Sequence, residues 1–105
     1  MPACQQKAAL MSETRFVMVY AYDIVADRDR DRIAGLLEDV AVRVQRSVFE
    51  IRQTREEADR LIARLTPYLA PGDKLRVYAL GATGLDHSRV FGGPPLPEPA
   101  DYWLL

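Results

Sequence analysis

The amino-acid sequence predicts an α+β fold, a four-stranded antiparallel sheet and two helices in the order β-α-β-β-α-β. Three observations predict it. A strongly apolar run at 16–24 opens the patterned sequence, two later segments carry apolar residues at helical spacing, and further extended segments occupy 42–52 and 74–80. The chain has 105 residues, of which 49% are hydrophobic and 28% charged, as expected for one small globular domain.

The first strand is predicted over 16–22. Both of its faces are apolar, with Phe16, Met18, Tyr20 and Tyr22 on one and Val17, Val19 and Ala21 on the other. A strand that is apolar on both faces belongs in the centre of a sheet that is covered on both sides.

The first helix is predicted to follow, with Asp27 as its N-cap and Asp29 and Asp31 in its first turn, where the helix dipole favours anions. Its buried stripe is expected to consist of residues spaced i, i+3, i+4 and i+7, namely Ile33, Leu36, Leu37 and Val40.

The next extended segment, 42–52, is interrupted. Arg46 occurs on a face that otherwise carries valines, which predicts a bulge or a change of strand near Ser47. Two short strands with a tight join are therefore expected.

The second helix begins with a capping box, because Thr54 and Glu57 have the T-x-x-E spacing. Its apolar stripe comprises Ala58, Leu61, Ile62, Leu65 and Leu69. The sequence Pro71-Gly72-Asp73 predicts a turn, after which 74–80 forms the fourth strand and 81–88 a loop.

This order is that of a ferredoxin-like βαββαβ sandwich, in which both helices lie on one face of the sheet. The other face then needs a cover, and a second copy of the chain is the simplest one, so a homodimer is expected. Residues 1–14 are expected to be a flexible extension, with Met11 as an alternative start to Met1, and 15–91 to be the domain. The tail 92–105 is expected to dock as an additional C-terminal strand on its own or a partner's sheet, the alternative being a disordered end.

Composition narrows the function classes. The formal net charge of −1 argues weakly against binding nucleic acid by bulk positive charge. Twelve of the fourteen basic residues are nevertheless arginine, which can form two parallel hydrogen bonds with one phosphate group. A GC-rich genome would also explain the arginines. The single cysteine, Cys4, is interpreted as a free thiol in a cytoplasmic protein, and no run approaches the ~18 apolar residues of a membrane span. His87, beside Asp86, fits a solvated loop histidine better than a general base.

Asp23 is the candidate catalytic and metal-binding residue, because it ends the apolar first strand. Magnesium usually takes one or two carboxylates together with waters and substrate phosphates. One Asp23 per chain is a poor site, whereas two brought together across a dimer axis could hold one Mg²⁺ that activates water for phosphodiester cleavage. The simpler alternative is a strand-end aspartate satisfied by the amides of the following turn.

Tyr22-Asp23-Ile24 at the end of the first strand, the arginine-rich helix after it and the sequence VQRSVFE at 44–50 together resemble the CRISPR-associated protein 2 family over about 15–91. The resemblance implies a ferredoxin-like homodimer with Asp23 at the interface as a magnesium ligand. It implies a metal-dependent endonuclease on RNA or DNA. It also implies a dimeric bridge that holds a CRISPR integrase partner during spacer acquisition, with the C-terminal strand packed on the partner chain.

Carried onto this sequence, the resemblance makes Ser47 and Phe49 residues of the same interface and nucleic-acid contacts, as it does the helix arginines Arg28 and Arg32. Pairing of these arginines with Asp29 and Asp31 on a solvated surface is the structural alternative. Two other functions stay open: a non-catalytic structural adaptor that holds duplex DNA and the integrase, and a toxin-like ribonuclease acting alone on single-stranded RNA.

Overall fold

The computed structural model describes residues 14–97 and contains the predicted order of elements. The strands are β1 (Arg15–Asp23), β2 (Val42–Gln45), β3 (Val48–Thr54) and β4 (Lys74–Leu80). The helices are α1 (Asp27–Glu38), α2 (Arg55–Leu65) with a 3-10 turn at Thr66–Tyr68, and α3 (Ala82–Asp86). The expected extension, except Thr14, and the last eight residues of the expected tail lie outside the described part.

The sheet has the strand order β2-β3-β1-β4, and all three of its pairings are antiparallel. This is the ferredoxin-like topology, and it places β1 in the interior of the sheet as its apolar faces predict. Both long helices pack on one face, where they bury Tyr20 and Phe49 from the sheet together with Ile33, Leu37 and Leu65.

The hairpin between β2 and β3 accounts for the misplaced Arg46. Arg46 and Ser47 form the two-residue turn, and the pairing shifts by one residue between Arg43 and Gln45, so that Val44 is the bulged residue. The tight join was thus predicted correctly, and Arg46 does not lie on a sheet face.

Helix α1 corrects three predictions, one of which is that Asp31 belongs to the first turn, because the acidic residues of that turn are Asp27 and Asp29 only. Its N-cap is Ala26, and no side chain caps it; Asp27 is the first helical residue and forms an ion pair with Arg30. Val40 was expected in the buried stripe, but it follows the end of the helix at Glu38 and is 45% exposed.

Helix α2 has the predicted capping box. Thr54 Oγ1 accepts from the Glu57 amide at 3.1 Å, and Glu57 Oε1 accepts from the Thr54 amide at 2.9 Å. The α-helix ends at Leu65, before Leu69, because Pro67 has no N–H for a continuing helix. Gly72, with φ of +91°, supplies the predicted turn before β4.

The expected loop at 81–88 contains the short helix α3, which the pattern did not predict. Its five residues include one glycine, and it has no N-terminal side-chain cap. Within residues 14–97, no helix is long and apolar enough to cross a membrane.

Candidate active site at the end of strand β1

A polar cavity of about 510 Å³ opens where β1 ends, between the start of α1 and the β2–β3 hairpin. Tyr22, Asp23 and Ile24 contribute from β1 and the residue after it. Helix α1 and the hairpin contribute the charged lining, namely Arg30, Asp31, Arg43 and Arg46, together with the hydroxyl of Ser47. The residues that line the cavity therefore include two carboxylates, three guanidinium groups and two hydroxyls, those of Ser47 and Tyr22.

The carboxylate of Asp23 is exposed and takes no part in a hydrogen bond or ion pair within the described residues. An aspartate at the end of a strand often accepts a hydrogen bond from the backbone amide two residues later, which here belongs to Val25. In this structure Val25 N donates instead to Asp73 Oδ1, at 3.1 Å. Asp73 Oδ2 also accepts from the Ala70 amide at 2.9 Å. Asp73 thus satisfies the backbone beside β1, and Asp23 keeps its oxygen atoms available.

Two of the three arginines are held by carboxylates outside the cavity. Arg30 pairs with Asp27 and also donates to the Ile24 carbonyl at 3.0 Å, so it ties the helix to the end of β1. Arg43 Nη2 lies 3.3 Å from Glu38 Oε2. In the described part of the chain Arg46 has no ion pair, and its guanidinium is the most available for an anion.

The hairpin is fixed against β1 by the backbone. Tyr22 N donates to the Ser47 carbonyl at 3.1 Å, and the Tyr22 hydroxyl donates to the Arg46 carbonyl at 3.4 Å. Burial raises the pKa of Tyr22, more than the nearby Arg43 lowers it, so the phenol stays protonated and keeps this donor at neutral pH. Tyr22 consequently holds both hairpin residues of the cavity in position.

The structure separates the residues that the sequence singled out. Asp23 and Ser47 share the cavity. Arg28 is exposed on α1 and does not line it. Arg32 lies beside Tyr68, with its Nη1 3.3 Å from the phenol oxygen and its guanidinium 5.2 Å from the ring centroid.

Phe49 is fully buried, so it has no surface with which to contact nucleic acid directly. Its ring centroid lies 6.2 Å from that of Tyr22, and the guanidinium of Arg43 lies 5.0 Å from its centroid. Phe49 is therefore a core residue that supports Tyr22 and Arg43, both of which line the cavity.

Sequence reasoning missed Arg30, Asp31, Arg43 and Arg46 as cavity residues. Arg43 and Arg46 carry a usable signal, because both belong to the predicted hairpin that also contains Ser47. Arg30 carries a signal as well, because it lies three residues before Ile33 and thus on the side of α1 that carries the predicted buried stripe.

The cavity fits one divalent cation only partly. Asp23 and Asp31 both line it, and Mg²⁺ needs only one or two carboxylates when water and phosphate complete its coordination. Within 14–97, however, there is no cluster of three or more histidine, cysteine or acidic residues that could hold a metal unaided. A Mg²⁺ site here would therefore need further ligands from a phosphate group or from a second chain.

The sheet face opposite the helices, here called the open face, carries Asp23 as well. The strand register puts Val17, Val19 and Ala21 on the same side of β1 as Asp23, with Glu50 of β3 opposite Val19. Arg76 and Tyr78 of β4 border this apolar stripe, and Arg76 Nη1 donates to Tyr78 Oη at 3.0 Å. Burial raises the pKa of Glu50 even within one chain.

Comparison with known proteins shows the family. The family model for CRISPR associated protein Cas2 matches residues 16–87, which include every residue of the cavity. A protein of Synechocystis named CRISPR-associated endoribonuclease Cas2 3 is 41% identical over 85 residues, which are 80% of this chain and 92% of that one. A protein of Chloroflexus aurantiacus named CRISPR-associated endoribonuclease Cas2 1 is 39% identical over 85 residues, which cover 74% of this chain and 86% of that one.

Solved structures agree. The crystal structure of the hypothetical protein TT1823 from Thermus thermophilus matches with a TM-score of 0.67 and 35% identity, over 80% of this chain and 99% of that one. A chain of a partial Cas6-RT-Cas1–Cas2 complex matches with a TM-score of 0.64 and 26% identity, over 76% and 88%. Fold, matched residues and relatives are consistent, and the chain belongs to the CRISPR associated protein Cas2 family.

Proposed function

We propose that this chain acts in CRISPR adaptation as a homodimeric, magnesium-dependent endonuclease that cuts phosphodiester bonds of RNA or DNA. The observation that carries the proposal is the free carboxylate of Asp23 beside a cavity lined by arginines. A carboxylate without an internal partner is available to a metal ion, and the guanidinium groups beside it suit a phosphate. The relatives named as endoribonucleases support the same chemistry.

The dimer completes the site. Asp23 lies on the same side of β1 as the apolar stripe of the open face, and Tyr78 on that face is 49% exposed. Val17 is already buried within one chain, so a second copy packed there through a two-fold axis would bury the half-buried Val19 and Ala21 and bring a second Asp23 towards the first. Two carboxylates repel each other unless a cation lies between them, which favours one Mg²⁺ shared by the dimer.

Five residues of the cavity then have a role. Asp23 of both copies would hold the cation, which when bound would lower the pKa of a water molecule that acts as the nucleophile. Arg46, whose guanidinium has no ion pair in the described part, binds the phosphate that is attacked. Ser47 donates a hydrogen bond to a phosphate oxygen. Arg30 and Arg43 add positive charge to the cavity, which their ion pairs with Asp27 and Glu38 partly neutralise.

The test is cleavage of labelled single-stranded RNA and duplex DNA across a magnesium titration by the parent chain and by Asp23→Asn. We expect the substitution to lower the rate at least about a hundredfold, because it removes a metal ligand from each copy. Asp86→Asn, which changes an exposed aspartate on α3, is the matched control and should cleave normally. Equal cleavage by parent and Asp23→Asn would sink the proposal and indicate a contaminating nuclease.

A second candidate function is a structural adaptor that bridges an integrase partner and duplex DNA, with Asp23 catalytically idle. The match to a chain of a Cas1–Cas2 complex favours it. Spacer acquisition in cells separates the two functions. An Asp23→Ala chain that still assembles and acquires spacers normally would support the adaptor, whereas lost acquisition by an assembled variant would support a working carboxylate.

A further inference from the structure

A second concavity of about 360 Å³, here called the edge groove, lies between helix α2 and strand β3. Ile51, one of its residues, pairs with Met18 in the first half of β1, whereas Asp23 ends that strand. The edge groove and the polar cavity share no residue. The floor of the groove is apolar and its rim carries three guanidinium groups; the floor consists of Val40, Ile51 and Leu61, and the rim of Arg52, Arg60 and Arg64.

The rim of the groove carries positive charge that the described part of the chain does not neutralise. Within residues 14–97, neither Arg60 nor Arg64 has an ion pair, and Arg52 Nε is a buried donor without an acceptor. The one carboxylate that lines the groove, Glu57, is already bound by Arg15 at 2.7 Å and by the Thr54 amide at 2.9 Å. An unsatisfied donor beside two uncompensated guanidinium groups favours an anion as the occupant.

The spacing of two rim arginines suits more than one phosphate. Arg60 and Arg64 are four residues apart on α2, so they lie on one face of the helix with Cβ atoms about 5–6 Å apart. Successive phosphates along a nucleic-acid strand have a similar separation, and a guanidinium group can form two parallel hydrogen bonds with each of them. A lone phosphate would leave one of the two arginines without a partner.

The floor of the groove offers a surface for a base, which the polar cavity does not. The apolar residues that line the polar cavity, namely Tyr22, Ile24 and Ala34, are all buried. In the edge groove Val40 is 45% exposed and Ile51 is half-buried. An unpaired base can pack on such a surface and stack against a guanidinium plane, whereas the faces of a base inside a duplex are covered by its neighbours.

We infer that the edge groove binds a nucleotide of a single-stranded nucleic acid, with its base on the apolar floor and its adjoining phosphates on Arg60 and Arg64. The groove then holds an unpaired strand at a distance from Asp23 and favours single strands over duplexes. The choice of a nucleic acid as the anion rests on the proposed function, whose substrate it is. An acidic peptide is the competing occupant.

The rim is tested by binding, measured in EDTA so that no magnesium-dependent cleavage occurs. Arg60→Ala together with Arg64→Ala should weaken binding of a fluorescent oligodeoxythymidine of about ten nucleotides about five- to tenfold in fluorescence anisotropy. The slope of log K against log salt should become shallower by about 1.4, because each phosphate contact on a single strand contributes about 0.7. Arg55→Ala is the control, because Arg55 is exposed on the same helix but does not line the groove, and its affinity should fall less than about twofold. Unchanged binding by the double variant refutes the site.

The floor is tested with a strand of the same length and charge whose deoxyribose units carry no bases. The parent chain should bind this abasic strand at least about fivefold more weakly than oligodeoxythymidine, because base stacking is lost. Val40→Asp should remove that preference, since it places a charge on the floor. Val42→Asp is the matched control: Val42 is 47% exposed, much like Val40, but lies outside the groove, so the preference should persist.

Two outcomes would overturn the inference even if the arginines matter. Equal binding of the two strands by the parent chain would make the groove a general polyanion site. Displacement of oligodeoxythymidine by polyglutamate of equal charge, as efficiently as by the unlabelled strand, would identify an acidic peptide as the occupant. The proposed function can fail separately, because cleavage by Asp23→Asn in magnesium tests the polar cavity, whereas binding in EDTA tests the edge groove.

Discussion

Asp73 is expected to hold the end of β1 in place although it lies outside the polar cavity. Its two carboxylate oxygens accept backbone hydrogen bonds from Val25 and Ala70, at 3.1 and 2.9 Å, and Val25 is two residues from Asp23. Replacement by alanine, Asp73→Ala, removes both acceptors. The Val25 amide then has no protein acceptor and the segment after Asp23 loses its link to the turn before β4.

The loss of folding stability caused by Asp73→Ala can be worked out from the two hydrogen bonds to the Asp73 carboxylate that it removes. Buried bonds of this kind contribute about 1.5–3 kcal/mol each, but these two are exposed and water replaces part of the loss. About 1 kcal/mol each gives a total of about 2 kcal/mol. With a urea slope of about 1–3 kcal/mol per molar, the unfolding midpoint should fall by about 0.7–2 M.

Urea unfolding at one fixed protein concentration measures this loss, because a dimer would make the midpoint depend on concentration. Asp73→Asn should lose less than Asp73→Ala, since its amide oxygen can still accept one of the two hydrogen bonds. Asp86→Ala removes an exposed carboxylate elsewhere and serves as the control. A loss below about 0.5 kcal/mol for Asp73→Ala would refute the reasoning. A folded Asp73→Ala chain should also need more magnesium for half-maximal cleavage, because Asp23 is held less firmly.

Three further predictions concern the core, the capping box and the open face. Tyr20→Phe should destabilise the chain by about 1–3 kcal/mol in thermal or urea unfolding, because it removes the buried 2.5 Å bond from the phenol to Gln53 Oε1 and leaves that oxygen unpaired. Thr54→Ala should cost about 1 kcal/mol in the same assay, with Thr54→Ser restoring most of it. Burial raises the pKa of Glu50, so its ionised form opposes folding as the pH rises through the folded-state pKa. Glu50→Gln should therefore be more stable than the parent at about pH 7, and this gain should disappear near pH 4, below the ordinary carboxyl pKa; a constant difference across that range would contradict the assignment.

The sequence alone was sufficient to predict the features that depend on residues close together in the chain. The capping box at Thr54 and Glu57 requires only a three-residue spacing, and the interior position of β1 follows from its own two apolar faces. The join near Ser47 was also predictable, because a misplaced arginine marks the place where strand alternation stops.

What could not be predicted depends on partners distant in sequence. Asp23 does not accept a hydrogen bond from the Val25 amide because Asp73, 48 residues later in the chain than Val25, accepts it instead. No sequence pattern near Asp23 indicates this. Val40 has the spacing of a buried residue, but α1 ends before it and exposes it. The polar cavity needs the phase of α1 and the hairpin together, so Arg30 and Arg46 became associated only in three dimensions.

The two-residue turn of the β2–β3 hairpin also limits how this chain can vary in length. Arg46 and Ser47 both bind Tyr22 through their carbonyl groups, so the turn sets the distance from hairpin to β1 as well as the strand pairing. One inserted residue would reverse the faces of the following strand and carry Phe49 out of the core. Homologous chains that tolerate insertions should therefore accept them near Gly92 and Gly93, whose positive φ angles mark irregular backbone, and keep the hairpin turn at two residues.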